Sequence, residues 1–244
     1  MRGKLIIIEG GDGSGKATQT AMLVERLAAE GRPVRSVSFP DYDSDSSALV
    51  KMYLRGDFGG DADGVNPYAA SAFYAVDRFA SYQTQWKSFL QDGGIVVADR
   101  YTTSNMLYQM IKIDDAAAQE AYLDWLWDFE FGKLGLPEPD MVVLLDVPLA
   151  VTERLMAGRT GKTGGRTGDI HEKNEGFLRK CHDAYDMLAK RYGWQRIACA
   201  DGLAMRTPEA ICDDVYEAVR ALWNKGWKRL NLAVNLDFTG HFFL

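Results

Sequence analysis

Residues 4–18 read Lys4-Leu5-Ile6-Ile7-Ile8-Glu9-Gly10-Gly11-Asp12-Gly13-Ser14-Gly15-Lys16-Ala17-Thr18. A β-branched apolar run passes directly into the spacing G-x-x-x-x-G-K, and a helical pattern follows from Lys16 to Glu30. Strand, glycine loop and helix in that order are the context in which such a loop cradles a nucleoside triphosphate. Gly10, Gly11, Gly13 and Gly15 let successive backbone N–H groups approach phosphate oxygens closely. The helix N-terminus adds a partial positive charge, and Lys16 can bridge the β- and γ-phosphates. Gly10 to Thr18, with Asp12, Ser14 and Ala17 among them, are therefore the candidate residues for binding a nucleoside triphosphate. Ala17 stands where the motif has Ser or Thr and offers no side-chain oxygen to a metal; Thr18 carries the next hydroxyl. Mg2+ keeps several waters and is held largely by substrate phosphates, so the expected arrangement is a magnesium reached through water by Asp99.

Outward from this stretch, short apolar runs alternate with helical segments. Strands are predicted at Val34–Phe39, Ile95–Ala98, Met141–Asp146 and Gln195–Ala200. Helices are predicted at 46–54, 67–90, 116–131, 149–156, 172–192 and 208–224. Continuous apolar strands between helices imply a parallel sheet covered on both faces, wound right-handedly. The predicted fold class is α/β: a doubly wound five-stranded parallel sheet, a P-loop NTPase fold. The predicted domain organisation is one nucleotide-binding domain over 1–225 with a lid at 157–172, then a tail at 226–244 without clear periodicity.

Ligands of such folds lie at the carboxyl ends of the strands. Strand two ends in Phe39-Pro40-Asp41 and strand three in Asp99-Arg100-Tyr101, so both groups are expected beside the glycine loop. The Asp99 carboxylate is placed to order the hydration shell of the metal, and the Arg100 guanidinium to grip an acceptor phosphate with two hydrogen bonds. Asp12 is positioned to accept from a sugar hydroxyl. Tyr74 and Arg78 lie four apart and share a helix face, where a ring can stack on a base and a guanidinium can donate to its carbonyl. Periodicity alone places Tyr74 in an apolar helix face, together with Phe73 and Phe79. Residues 158–168 combine glycine with Arg159, Lys162 and Arg166, the composition of a lid that closes over phosphates.

The net charge of −6 argues against a nucleic-acid coat and requires local focusing of the cations that meet phosphate. No run is long enough to span a bilayer. Cys181, Cys199 and Cys212 form no CxxC pair and read as buried thiols in a reducing cytoplasm; His171, His182 and His241 show no metal-ligand spacing.

Taken together, these residues resemble the thymidylate kinase family from about Lys4 to Leu222. The carriers are EGGDGSGKATQ, Phe39-Pro40, the YAVDR segment ending at Arg78, DRYTTSNMLYQ from Asp99, and LPEPDMVVLLDVP before the lid. The resemblance implies ATP-dependent phosphorylation of dTMP to dTDP with Mg2+, in a cytoplasmic homodimer. Through it, Asp12 is similar to the acid near the sugar 3′-hydroxyl, Tyr74 to the ring stacked on thymine, and Arg78 to the donor to its carbonyl. Asp99 and Arg100 match the acid of the metal shell and the arginine of the acceptor phosphate. Ser104, Asn105 and Gln109 fall where the family lines its base and sugar pocket, and Phe39 of the Phe39-Pro40 pair is a further substrate-binding candidate. Gly13 occupies the position where some members carry a transition-state arginine, so that role is expected of Arg159 first and Arg166 second, as in the bacterial type. Tyr42 stands where many members have an arginine, and Ile170 likewise. Two other readings fit the same loop: a kinase of another nucleoside monophosphate or a deoxynucleoside, and a non-kinase P-loop module that binds or senses a nucleotide. A GTPase is disfavoured, since no NKxD-type motif is present.

Overall fold

The computed structural model describes residues 2–59, 64–157 and 175–224. The chain runs β1 (Lys4–Gly10), α1 (Lys16–Ala29), β2 (Val34–Ser38), α2 (Ala48–Arg55), α3 (Pro67–Ser81), α4 (Lys87–Gln91), β3 (Ile95–Asp99) and α5 (Thr102–Tyr108). It continues through α6 (Ala116–Trp127), β4 (Met141–Asp146), α7 (Leu149–Ala157), α8 (Glu175–Tyr192), β5 (Gln195–Ala198), β6 (Ala200–Asp201), β7 (Ala204–Met205) and α9 (Pro208–Asn224). The predicted lid, with Arg159 and Arg166, lies outside the described residues apart from Ala157, and so does the tail at 226–244.

The first five strands form one parallel sheet in the order β2-β3-β1-β4-β5, as the alternation of elements implies. β1 is central, and Leu5 to Ile8 are fully buried. Strand side chains alternate between faces. Ile6 and Ile8 therefore join the core under α1 and α9, while Leu5 and Ile7 join a second core with Tyr82, Trp86 and Leu90. Full burial of each such aliphatic side chain contributes about 1.5–3 kcal/mol. A third core ties α5, α6 and α8 together through Met106, Leu107, Tyr122, Leu126 and Leu188.

The departures from expectation have local causes. β2 is an edge strand, so Arg35, Ser36 and Ser38 are exposed and the sheet is not equally covered there. It ends at Ser38, although the Phe39 amide still donates to the Asp99 carbonyl at 3.0 Å. Two predicted helices are not α throughout: Tyr82–Trp86 and Asp128–Lys133 are π turns. The segment Asp45–Ser47 is a 3-10 turn before α2. The last parallel strand stops at Ala198, and the chain turns into the β6–β7 hairpin. Periodicity assigns no element to Thr102–Tyr108, because Thr, Ser and Asn are weak helix formers, yet these residues form α5. Phe79, expected in the core, is 37% exposed on α3 beside Val76.

Candidate active site

The centre of the sheet decides where the site lies. β1 is flanked by β3 and β4, which depart to opposite sides, so the loop after β1 sits at the topological switch point of the sheet. Register pairs Ile8 with Asp99 and Gly10 with Leu145, which brings the glycine loop level with the carboxyl ends of both neighbours.

Gly10, Gly13 and Gly15 all have positive φ, at 156°, 81° and 90°. At Gly10 glycine is also needed for space: a Cβ there would meet the Ser14 Oγ at 2.7 Å and the Leu145 carbonyl at 3.1 Å. The Ser14 hydroxyl is buried and has no hydrogen-bond partner among the described residues. No acidic residue occupies the first turn of α1, so nothing there opposes an anion at its N-terminus. Ala17 and Thr18 are exposed at that turn.

Lys16 folds back over the loop. Its Nζ donates to the carbonyls of Gly10 at 3.0 Å and Gly11 at 2.9 Å and lies 4.0 Å from Asp12. Burial lowers its pKa to about 8; the charge of Arg100 adds to this, and Asp12, Glu9 and Asp99 oppose it.

Asp99 closes β3, and burial raises its carboxyl above the usual range, against the pull of Lys16 and Arg100. The next residue, Arg100, has φ 68° and is the single positive-φ residue other than glycine among the described residues. Such a conformation costs about 1–3 kcal/mol. Its Nη2 donates to Asp12, its Nη1 lies 3.9 Å from Glu9, and its guanidinium stands 5.3 Å from the Tyr108 ring centroid. Burial acts to lower its pKa, but Tyr108, Asp12 and Glu9 outweigh it and hold the group well above its ordinary value.

All eight residues predicted to bind the acceptor line one open cleft of about 760 Å³: Asp12, Phe39, Tyr74, Arg78, Arg100, Ser104, Asn105 and Gln109. Tyr74 is half-buried, with its ring edge-on to Tyr53 at 6.3 Å. Asn105 donates to the Ser71 carbonyl at 3.2 Å, and Ser104 donates to Glu9 at 2.8 Å. Gln109 is buried, and its Oε1 has no partner among the described residues. Tyr42 lies on the rim, 55% exposed.

Four groups that hold the site together escaped the sequence reading. Glu9 is wholly buried beneath the loop and accepts from Thr103 at 2.6 Å, Ser104 at 2.8 Å, Tyr185 at 3.1 Å and the Gly10 amide at 3.0 Å. A lone acid ending an apolar strand was the available signal. Asp77 accepts from the Asp41 amide at 2.8 Å and from Ser46 at 2.6 Å, fixing the loop after Phe39-Pro40. Glu130 binds Arg78 from across the molecule, 52 residues away in sequence. Tyr108 lines the cleft beside Arg100.

No group of three or more His, Cys, Asp or Glu side chains among the described residues forms a metal cage. The three cysteines are free and buried. Among the described residues no helix is long and apolar enough to cross a membrane.

Comparison with known proteins matches this geometry to one family. A family profile described as "Thymidylate kinase" matches residues 8–203. Thymidylate kinase from Mycobacterium tuberculosis (strain H37Rv) is 34% identical over 191 residues, covering 78% of this chain and 87% of the relative. Thymidylate kinase from Clavibacter sepedonicus is 33% identical over 186 residues, covering 73% and 81%. The solved structure of thymidylate kinase from Candida albicans shares the fold with a TM-score of 0.68 at 24% identity, covering 91% of this chain and 93% of that one. The profile spans most of the chain and the relatives are covered over most of their length, so the chain belongs to the thymidylate kinase family.

Proposed function

We propose that this protein transfers the γ-phosphoryl group of ATP to dTMP, yielding ADP and dTDP. An oxygen of the dTMP phosphate attacks the γ-phosphorus, and the bond to the β,γ-bridging oxygen breaks. Such transfer needs positioning and charge neutralisation more than covalent chemistry. The observation that carries the reading is the convergence of eight predicted acceptor residues on one cleft beside the phosphate loop.

In this reading, Gly10 to Thr18 hold the triphosphate, with Lys16 leaving the Gly10 and Gly11 carbonyls for the β- and γ-phosphates. Arg100 binds the acceptor phosphate and Asp12 the sugar hydroxyl. Tyr74 stacks on the base, and Arg78 reads its carbonyl. Ser104, Asn105, Gln109 and Phe39 complete the pocket. The transition-state cation is assigned to Arg159, then to Arg166, because Gly13 places none in the loop; both arginines lie outside the described residues, in the proposed lid at 157–172 of a single domain over 1–225.

Magnesium fits this donor set as a hydrated ion. Asp99 offers a hard oxygen at the strand end, Ala17 offers none, and no protein cage competes among the described residues. When bound, it would neutralise charge on the phosphates. Asp99 would hold its water shell, and Ala17→Thr is then expected to retain or raise activity; a large loss would count against a water-held metal.

A homodimer is part of the proposal. It is supported by the apolar outer face of α3, where Val76 is 42% and Phe79 37% exposed. Light scattering that reads the mass of a single chain at assay concentration would remove it. A cytoplasmic location, supported by the three free thiols, is contradicted if cell fractionation finds the protein elsewhere.

The decisive experiment measures ADP release with a panel of nucleoside monophosphates, for the wild type and Arg78→Ala side by side. The wild type is expected to prefer dTMP, and the variant to lose base preference. Activity on AMP or GMP with none on dTMP would sink the assignment. Triphosphate binding without any monophosphate site would leave a nucleotide-sensing module instead.

A further inference from the structure

Arg78 is 1% exposed, and its partner Glu130 is wholly buried. Arg78 Nε donates to Glu130 Oε2 at 2.8 Å and Nη2 donates to Oε1 at 2.5 Å, a two-point grip. Thr102, at the start of α5, donates a third hydrogen bond to Oε2 at 2.6 Å. Glu130 therefore joins the helix that carries Arg78 to the helix that begins two residues after Arg100.

Stability alone is a poor reason for this arrangement. Two charges lose their hydration when buried, and apolar residues of similar volume often serve folding as well or better. The backbone at Glu130 is also unusual. It lies in the π turn 128–133, a rare geometry that recurs at functional sites. The grip uses Nε and one edge of Nη2. Nη1 makes no hydrogen bond among the described residues, while Arg78 lines the acceptor cleft.

We propose that Glu130 is the positioning residue of the acceptor base site. It fixes the plane of the Arg78 guanidinium so that the free edge donates to the C4 carbonyl of the bound pyrimidine. The inference rests on Arg78 reading the base. A flexible arginine would adapt to many acceptors, whereas one clamped at Nε and Nη2 presents donors in a fixed direction. A 4-amino pyrimidine has no acceptor at that point and is rejected, because its amino group meets a donor.

The test is steady-state kinetics of the full chain with dTMP and dCMP for the wild type, Arg78→Ala and Glu130→Gln. Glutamine keeps the shape of Glu130 but turns one of its two acceptors into a donor facing the arginine. Glu130→Gln is expected to raise the KM for dTMP roughly tenfold and to lower the preference for dTMP over dCMP roughly tenfold. The kcat at saturating dTMP and the KM for ATP should stay near the wild-type values. A merely structural role would lower the melting temperature without moving the preference, and that result overturns the proposal. If the wild type, or Arg78→Ala relative to it, shows no base preference to lose, the reading of Arg78 itself fails. Should Glu130→Gln not fold, Thr102→Val removes one hydrogen bond and leaves the ion pair. A fall in preference in that variant supports the proposal; an unchanged preference overturns it.

Discussion

Replacing Arg100 with methionine is expected to lower kcat/KM for dTMP by about 10²- to 10⁴-fold while leaving the KM for ATP close to wild type. The magnitude is that of removing one partner from a desolvated, hydrogen-bonded charge pair. The specificity follows from geometry. Arg100 leaves β3 in a left-handed conformation, with φ 68°, that L-residues avoid. Its side chain binds Asp12 and approaches Glu9, between the glycine loop and the cleft proposed for the acceptor. Against the effect of burial, Tyr108, Asp12, Glu9 and Tyr185 raise its pKa well above the ordinary value, so it stays charged at any working pH. Arg100→Lys restores a charge without the planar fork, so it should recover only part of the loss. A methionine variant within tenfold of wild type on dTMP would remove Arg100 from the acceptor site.

The same residue marks what the sequence could and could not reveal. The order of strand, glycine loop and helix at Lys4–Ala29 made the fold legible, because each local pattern agreed with the others. The dipeptide Asp99-Arg100 was legible as a strand-end pair. Its left-handed backbone was not, since nothing in the residue type announces a positive φ. Glu130 and Asp77 were invisible for a different reason. Each acts on a partner 31 or more residues away, Ser46 or Arg78, and no spacing rule joins such positions. The π turns at 82–86 and 128–133 were missed because their apolar periodicity resembles that of a continuous helix. Phe79 was misplaced because periodicity reports an apolar face and not what covers it.

Lys16→Met is expected to reduce kcat by about 10²- to 10³-fold, the scale for losing one preorganised group at developing charge, without lowering the melting temperature of the nucleotide-free protein. The two effects share one cause. Lys16 is a buried ammonium, 8% exposed, and burial brings its pKa down to about 8. Holding that charge in the empty loop costs stability, which a methionine of similar length does not incur, although the bonds to Gly10 and Gly11 are lost. The depressed pKa also fixes a pH dependence. Triphosphate favours the charged amine, so binding must raise its pKa and take up protons where the free enzyme has released them. Below pH 8 the affinity for ATP should be insensitive to this group; above pH 8 it should fall by up to about tenfold per pH unit, until the pKa of the complex is reached. Calorimetry at pH 8.5 in buffers of different ionisation enthalpy should register proton uptake on ATP binding, absent in Lys16→Met. Affinity that stays flat to pH 9.5 with no proton uptake would mean that Lys16 does not meet the phosphates.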